Sequence, residues 1–339
     1  MKILALSYLF PNPQQPTHGI FVFNRLKAIA RHHDVIVIAP IPWFPFRHKL
    51  SHVPDLYKVP YVEKVDSLLI YHPRFFVVPH ILKFLDAFTY LLCTLPLLIW
   101  LLFKESFDII DLHWVYPDIL TALTIASITN RPIVVTIRGK EALCYGEKSW
   151  RKRLVDYWLK KTDWVICLSQ ELAELVNDIG VDSKKIDVVR NGVDVSRFRP
   201  MSQEICRREL GIPSDKRVIV SIGAIIESKG FQRIIECMPE LLSEHVNVFL
   251  YIIGAPGPEG NYMSTLRALI ERLGLMNNVF LVGARPNNEL PLWYNAADVF
   301  CFASSTEGSP NVVMESLATG CPVIASAVGG IPDILIEDF

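Results

Sequence analysis

The stretch Ser304–Gly320, SSTEGSPNVVMESLATG, carries two glutamates, Glu307 and Glu315, with seven residues between them. Between them, Gly308-Ser309-Pro310-Asn311 reads as a helix start. Ser309 suits an N-cap, and Pro310 suits the first helical position, where a missing N–H costs no hydrogen bond. Gly320 reads as the helix stop, with Pro322 two residues beyond it. Such a helix offers the backbone N–H groups of Asn311 and Val312 and the positive end of its dipole, a combination that binds phosphate. The flanking carboxylates do not bind phosphate, but they accept hydrogen bonds from sugar hydroxyls. The pattern therefore points to a nucleotide sugar as ligand.

Upstream of this stretch, Val299–Phe302 reads as a buried strand, and the strand–turn–helix unit recurs along the whole chain. In the first half, apolar runs at Ile3–Ser7, Val35–Ala39, Leu68–Tyr71, Ile109–Leu112, Ile133–Ile137, Trp164–Leu168 and Asp187–Val189 read as strands. Helical segments separate them, at Ile20–Ala30, roughly Ile81–Phe103, Asp118–Ile128, Ser149–Lys161 and Gln170–Ile179. The strands are Val/Ile/Leu runs without alternation, as expected of parallel strands covered on both faces. The pattern breaks at Asn191-Gly192-Val193-Asp194 and restarts with strands at Val218–Ile222, Val248–Ile253, Val279–Leu281, Val299–Phe302 and Val323–Ala325. Helices are expected near Gly230–Leu242, Tyr262–Leu273, Glu289–Ala296 and Pro310–Thr319. The organisation is α/β, with two Rossmann-like domains over residues 1–195 and 196–339. Neither half has a G-x-G-x-x-G after its first strand, which disfavours a dinucleotide oxidoreductase.

A length of 339 residues accommodates two such domains, and 51% hydrophobic residues supply their cores. The 34 basic and 35 acidic residues leave a net charge of −1, with no electrostatic footprint for nucleic acid. The seven cysteines, Cys93, Cys144, Cys167, Cys206, Cys237, Cys301 and Cys321, are scattered and form no C-x-x-C pair, so they read as buried free thiols. The N-terminal KILALSYLF is short, contains Ser7 and stops at Pro11, so it reads as a first strand rather than a signal peptide. No segment reaches about 18 uninterrupted apolar residues. The nearest, Ala87–Phe103, contains Pro96.

Ligands of doubly wound sheets bind at the carboxyl ends of the strands, so the chemistry is sought in those loops. After the first strand comes the proline-rich PNPQQPTHGIF, in which Gly19 opens the helix, either as a point of close backbone approach to a ligand or as an ordinary helix-starting glycine. His113 follows Ile109–Leu112 beside Trp114 and Tyr116, although a lone histidine is usually structural. Arg138-Gly139-Lys140-Glu141 follows Ile133–Ile137, where a basic residue could meet a negatively charged leaving group or form a solvated charge pair. Lys229, just before a helix in GAIIESKG, supplies a point charge for a diphosphate. Arg285 follows Val279–Leu281 and reads either as a nucleobase contact or as a surface arginine. No Asp-x-Asp pair occurs anywhere in the chain, so charge neutralisation is expected without a metal or other cofactor.

The ordered set of motifs resembles family 4 retaining glycosyltransferases, which have the GT-B fold. The resemblance rests on Glu307 and Glu315, on Ala318-Thr319-Gly320-Cys321-Pro322, and on Val328-Gly329-Gly330-Ile331-Pro332-Asp333. It rests also on Arg190-Asn191-Gly192-Val193-Asp194 with Phe198 and Pro200, on Glu227-Ser228-Lys229-Gly230, and on Ala297-Asp298. His18-Gly19-Ile20-Phe21-Val22 and the His113–Asp118 segment resemble the subgroup that builds bacterial polysaccharides and cell-wall polymers. The resemblance covers nearly the whole chain.

It implies two Rossmann-like domains facing across a cleft, with Glu307 on the donor sugar and Glu315 on the ribose. Lys229 and the backbone of Gly308, Ser309, Pro310, Asn311 and Val312 would hold the diphosphate, with Gly19 and His113 contributing from the first domain and Arg285 near the base. Glu307, Lys229 and Arg138 are the expected catalytic residues. Two positions depart from the family: Ala224 stands where an arginine is frequent, and Arg138 where a histidine is frequent. The chain stops at Phe339, soon after Gly329-Gly330, so the second domain is expected to be truncated.

The implied activity is sugar transfer with retained configuration to a saccharide or lipid-linked saccharide in polysaccharide biosynthesis. A nucleotide-sugar epimerase or hydrolase and a non-catalytic sugar-nucleotide-binding subunit remain as alternatives. The implied location is cytoplasmic, at the inner face of the plasma membrane if the acceptor is lipid-linked. Phe75-Phe76-Val77-Val78 and Ala87–Phe103, with Arg47, His48, Lys49 and Lys83 nearby, read either as buried core or as a peripheral membrane surface.

Overall fold

Short apolar strands stay in a sheet only if both faces are covered, and the helices between them do this here. The structure is a computed structural model that describes residues 1–44, 55–77, 83–143, 149–257 and 262–335, apart from the Glu141 side chain. Arg47, His48, Lys49, Val78 and Cys144, all singled out from the sequence, lie outside the described residues. The chain divides into two compact units, Met1–Arg190 and Asn191–Phe339.

The first unit runs β1 (Lys2–Leu6), α1 (Ile20–Ile29), β2 (Asp34–Ile38), β3 (Ile41–Trp43), β4 (Val62–Val65), β5 (Leu68–Tyr71), β6 (Arg74–Phe76) and α2 (Asp86–Lys104). It continues with β7 (Ile109–Leu112), α3 (Ile119–Thr129), β8 (Ile133–Ile137), α4 (Trp150–Leu159), β9 (Trp164–Cys167), α5 (Gln170–Ile179) and β10 (Ile186–Val188). Eight strands form one sheet in the order β10-β9-β8-β7-β1-β2-β5-β4. All its pairings are parallel except β4 with β5. The antiparallel β4, VEKV, is largely exposed and puts Glu63 and Lys64 at the sheet edge, where charge discourages further pairing. β3 and β6 pair separately. The chain moves outward from β1 through β2, then returns to place β7 on the other side of β1. This is a topological switch point, where the loops after β1 and β7 part and leave a crevice.

The second unit runs α6 (Gln203–Leu210), β11 (Arg217–Ile222), α7 (Phe231–Glu244), β12 (Val248–Ile253), α8 (Tyr262–Arg272) and β13 (Val279–Gly283), then α9 (Leu290–Ala296), β14 (Val299–Phe302), α10 (Asn311–Ala318) and β15 (Val323–Ala325). Its five strands are ordered β13-β12-β11-β14-β15 and all pair in parallel. The switch point lies between β11 and β14, so the loops carrying Lys229 and Glu307 flank it. Asp298 fixes this pair from the opposite end. It accepts hydrogen bonds from the Val218 N–H at 2.7 Å and from the Arg207 guanidinium at 2.8 Å.

Several elements differ from the sequence reading. The sequence reading missed α6 because its polar residues looked like linker, yet Ser202 caps its start and Gly211 closes it in a left-handed conformation. β3, β4 and β6 were also unread, since they are three or four residues long and partly exposed. Cys93 and Cys237 are exposed rather than buried, on outward faces of α2 and α7. The segment from Lys83 to Lys104 forms one continuous helical run of 22 residues, long and apolar enough to cross a membrane by length and composition. The sequence reading missed this because it counted only uninterrupted apolar residues.

Candidate functional site

In the second unit, Lys229 ends a one-turn 3-10 segment, Glu227–Lys229, and Gly230 then opens α7 with φ +71°. A Cβ on Gly230 would stand 1.9 Å from the Ala303 carbonyl oxygen, so only glycine lets this loop reach the end of β14. The two loops are joined there by hydrogen bonds. The Ser228 carbonyl accepts from the Ser305 N–H at 2.8 Å and from the Ser304 hydroxyl at 3.0 Å. Across this seam Lys229 Nζ lies 2.5 Å from Glu307 Oε1 and 5.6 Å from the centre of the Phe302 ring. From the other side Gly329, at φ +58°, packs on Glu307, where a Cβ would come within 1.8 Å of the Glu307 carbonyl oxygen.

α10 starts one residue later than expected. Pro310, in an extended conformation, is its N-cap, and Asn311 its first helical residue. Ser309 makes no capping bond, and its hydroxyl is buried with no hydrogen-bond partner among the described residues. The proline decides this, since its fixed φ is equally suited to the residue just outside a helix. Asn311 Oδ1 accepts from Asn191 Nδ2 at 3.0 Å, so the Asn-Gly turn of the linker holds the helix start. Val312 packs against the core under that turn.

Glu315 lies one turn into α10, where its Oε2 accepts from the Tyr294 hydroxyl at 2.9 Å. Burial pushes its carboxyl above the usual range, opposed by the Tyr294 hydrogen bond and by the Arg197 charge. Arg197 lies with its guanidinium 5.1 Å over Phe198, and its Nε and Nη2 are buried with no hydrogen-bond partners among the described residues. Tyr294 and Arg197 were not read from the sequence. Arg197 stands one residue before Phe198 of the linker motif, which is the signal that could have found it. Arg285 stands exposed on the loop after β13, at the far edge of the sheet.

In the first unit, Gly19 caps α1 with φ +69°, and a Cβ there would stand 2.3 Å from the Leu9 carbonyl oxygen. His113 and Arg138 leave the ends of adjacent strands and meet. Arg138 Nη2 lies 3.0 Å from His113 Nδ1. Arginine can only donate, so Nδ1 is the acceptor and the imidazole proton sits on Nε2. Nε2 in turn lies 3.0 Å from Asp111 Oδ2, off the ideal line of a hydrogen bond.

His113 is wholly buried and Arg138 is buried beside it. Burial holds the imidazole below its usual range, against the pull of Asp111. Burial and the nearby Arg25 push the Arg138 guanidinium down to about 9, which leaves it charged at neutral pH. Arg138 also stacks 5.3 Å over Phe21 of α1. Asp111 and Arg25 were not read from the sequence; the clue was a carboxylate one residue from the end of an apolar strand.

Asp118, in the loop after β7, is fully buried, and Oδ2 accepts from the Tyr8 N–H at 2.8 Å. Burial raises its carboxyl to about 7, while Tyr90 and the Tyr8 N–H act the other way. The folded protein thus holds this proton well above the ordinary aspartate range near 3.9. Stability from this group is therefore complete below about pH 4 and declines as pH rises to about 7, by up to roughly 3–4 kcal/mol. Asp118→Asn keeps an acceptor for Tyr8 and cannot ionise. Urea unfolding of this variant at pH 5 and pH 8 is expected to show a flatter dependence than wild type, and an unchanged slope would refute the assignment.

A family profile described as Glycosyltransferase Family 4 matches residues 18–197, more than half of the chain. The chain belongs to glycosyltransferase family 4. A second profile, Glycosyl transferases group 1, matches residues 202–339 of this family 4 chain. Among relatives, a D-inositol 3-phosphate glycosyltransferase of Corynebacterium efficiens is 32% identical over 231 residues, 66% of this chain and 53% of that protein. A Bacillus subtilis protein, TuaC, named as a teichuronic acid biosynthesis glycosyltransferase, is 26% identical over 98% of this chain and 83% of its own. The family 4 chain thus spans about half the length of the inositol-phosphate relatives it matches.

Among solved structures, sucrose-phosphate synthase from Thermosynechococcus elongatus matches 99% of the chain and 84% of its own, with TM-score 0.76 and 19% identity. Anabaena HepE in complex with UDP and glucose matches with TM-score 0.70 and 20% identity, over 99% of this chain and 83% of its own. These likenesses establish the fold as GT-B, two α/β units built on parallel sheets, as the sequence motifs implied.

Proposed function

We propose that this family 4 chain is a retaining glycosyltransferase that moves a sugar from a nucleotide diphosphate sugar to a hydroxyl of a saccharide or lipid-linked saccharide. The observation that carries the reading is the Lys229–Glu307 pair, 2.5 Å apart at the switch point of the second sheet and beside the start of α10. A half-buried ion pair contributes little net stability once desolvation is counted, so its use lies in the charges it presents. HepE, whose structure holds UDP-glucose in one complex, supports the donor class by likeness.

In this reading the diphosphate lies against Lys229 and the first N–H groups of α10, Glu307 accepts from sugar hydroxyls and Glu315 from the ribose. The bond between the anomeric carbon and the phosphate oxygen breaks through an oxocarbenium-like state, and Lys229 and the helix offset the charge growing on the leaving diphosphate. The acceptor hydroxyl bonds to the anomeric carbon on the face the diphosphate leaves, and its proton passes to a leaving phosphate oxygen. Arg138, held by His113, presents a cation at the strand ends of the first sheet. The neutralising charge comes from the protein, so no metal is assigned. The reading places the chain in the cytoplasm, at the inner face of the plasma membrane for a lipid-linked acceptor.

Calorimetric titration with several nucleotide sugars, followed by NMR of the product, tests this. Saturable binding of at least one donor, a product with the donor's anomeric configuration, and turnover insensitive to EDTA are expected. An inverted product or no binding would overturn the reading, and isomerisation or sugar release that never requires an acceptor would point to an epimerase or hydrolase instead.

A further inference from the structure

α2 buries one face through Ala87, Tyr90, Thr94, Leu97, Leu98 and Leu101. Its opposite face is apolar too. Phe88, Leu92, Ile99 and Phe103 are 41%, 68%, 44% and 89% exposed. Their spacings of four, seven and four residues put them on a single stripe along the helix. A helix between core and water carries polar residues on its outer face, whereas one that is apolar all round belongs in protein or lipid. Only 33% of the most apolar window of this helix is buried.

Beside the C-terminal half of the stripe opens a cavity of about 620 Å³, within the range of ligand pockets. Leu95, Leu102, Phe107, Ile110 and Ile125 line its interior, and Lys104 and Arg131 stand among its lining residues as cations. Neither has a carboxylate partner among the described residues, whereas Glu105, which also lines the cavity, is paired with Lys2 at 2.5 Å. The Lys104 ammonium lies 4.1 Å from the centre of the half-exposed Trp100 ring, and tryptophan of this kind favours the headgroup level of a bilayer.

We propose that α2 docks the first unit on an anionic phospholipid surface, with the hydrocarbon chain of one lipid entering the cavity and its phosphate held by Lys104 and Arg131. The apolar stripe supplies the insertion and the two cations supply the preference for negative headgroups. The start of α2 is tied to the loop that follows His113. The Tyr116 hydroxyl donates to the Lys83 carbonyl and accepts from the Ala87 N–H at 3.4 Å. The lipid contact does not rest on the proposed transferase function.

Flotation of the full chain with vesicles of phosphatidylcholine, alone or mixed with phosphatidylglycerol, tests the proposal without any catalytic readout. Co-flotation with the mixed vesicles is expected, at least tenfold weaker in L92E/F103E. Lys104→Ala with Arg131→Ala should remove the preference for the anionic vesicles. Bromine on the lipid chains should quench wild-type fluorescence more than that of Trp100→Phe. Circular dichroism of each variant checks its fold. Absence of flotation, or equal flotation of the folded L92E/F103E variant, would overturn the proposal. So would a concentration-dependent dimer that Phe103→Glu dissociates, since a second copy would then be the occupant of the stripe.

Discussion

Lys229→Ala is expected to lower kcat by roughly 10²–10³-fold, the loss seen when one fixed donor to a developing negative charge is removed, about 3–4 kcal/mol. Lys229 is the cation that the β11 loop aims across the seam at Glu307. Its loss also strands the Glu307 carboxylate, whose side chain is only 9% exposed, so a stability effect could imitate a catalytic one. Thermal melting of Lys229→Ala separates the two: if the lysine acts on the leaving group, turnover measured well below the melting temperature stays low although the protein is fully folded. Wild-type turnover in Lys229→Ala at a saturating nucleotide sugar would remove this residue from the chemistry.

A second large effect is expected at a residue with no functional group. Gly329→Ala adds a Cβ that would sit 1.8 Å from the Glu307 carbonyl oxygen, at a φ of +58° that disfavours any side chain. Relief requires the Glu307 backbone to move by an ångström or more, and displacement on that scale costs on the order of 10² in rate. Gly320→Ala is the control. Its φ of +78° carries a similar backbone penalty, but its nearest neighbour is a Pro200 side-chain carbon at 3.8 Å. Gly320→Ala should therefore cost about 1 kcal/mol of stability and leave turnover nearly unchanged. Equal kinetic losses in both variants would show that backbone strain, rather than displacement of Glu307, governs the site.

The parallel strands were legible because burial on both faces leaves an unbroken Val/Ile/Leu run. Ile133–Ile137 and Val248–Ile253 could be bounded to the residue. α6 was not, because its amphipathic face rests on Cys206 and a buried Arg207, and a buried arginine carries no hydrophobic period. Within the site, Lys229, Glu307 and Glu315 announced themselves by spacing along the chain. Their partners did not. Tyr294 and Arg25 acquire their roles from contacts between segments distant in sequence, whereas Arg197 and Asp111 are marked only by a neighbouring motif and a strand end. His113 shows the converse: its position at a strand end was read correctly, while its complete burial depends on packing that a linear pattern does not contain.

The seam between the β11 and β14 loops has a consequence for exchanging donor preference between relatives. Ser228 accepts from both Ser304 and Ser305, Gly230 rests on Ala303, and Gly329 rests on Glu307. These segments form one interlocked cassette, about a hundred residues long from first to last, although their contacts span only a few ångströms. A chimera that imports the lysine loop alone would pair it with a foreign β14 loop and lose the fit at Ala303. Successful grafts should carry residues 223–230 together with 303–330, and recombination breakpoints between functional homologues should fall outside both segments.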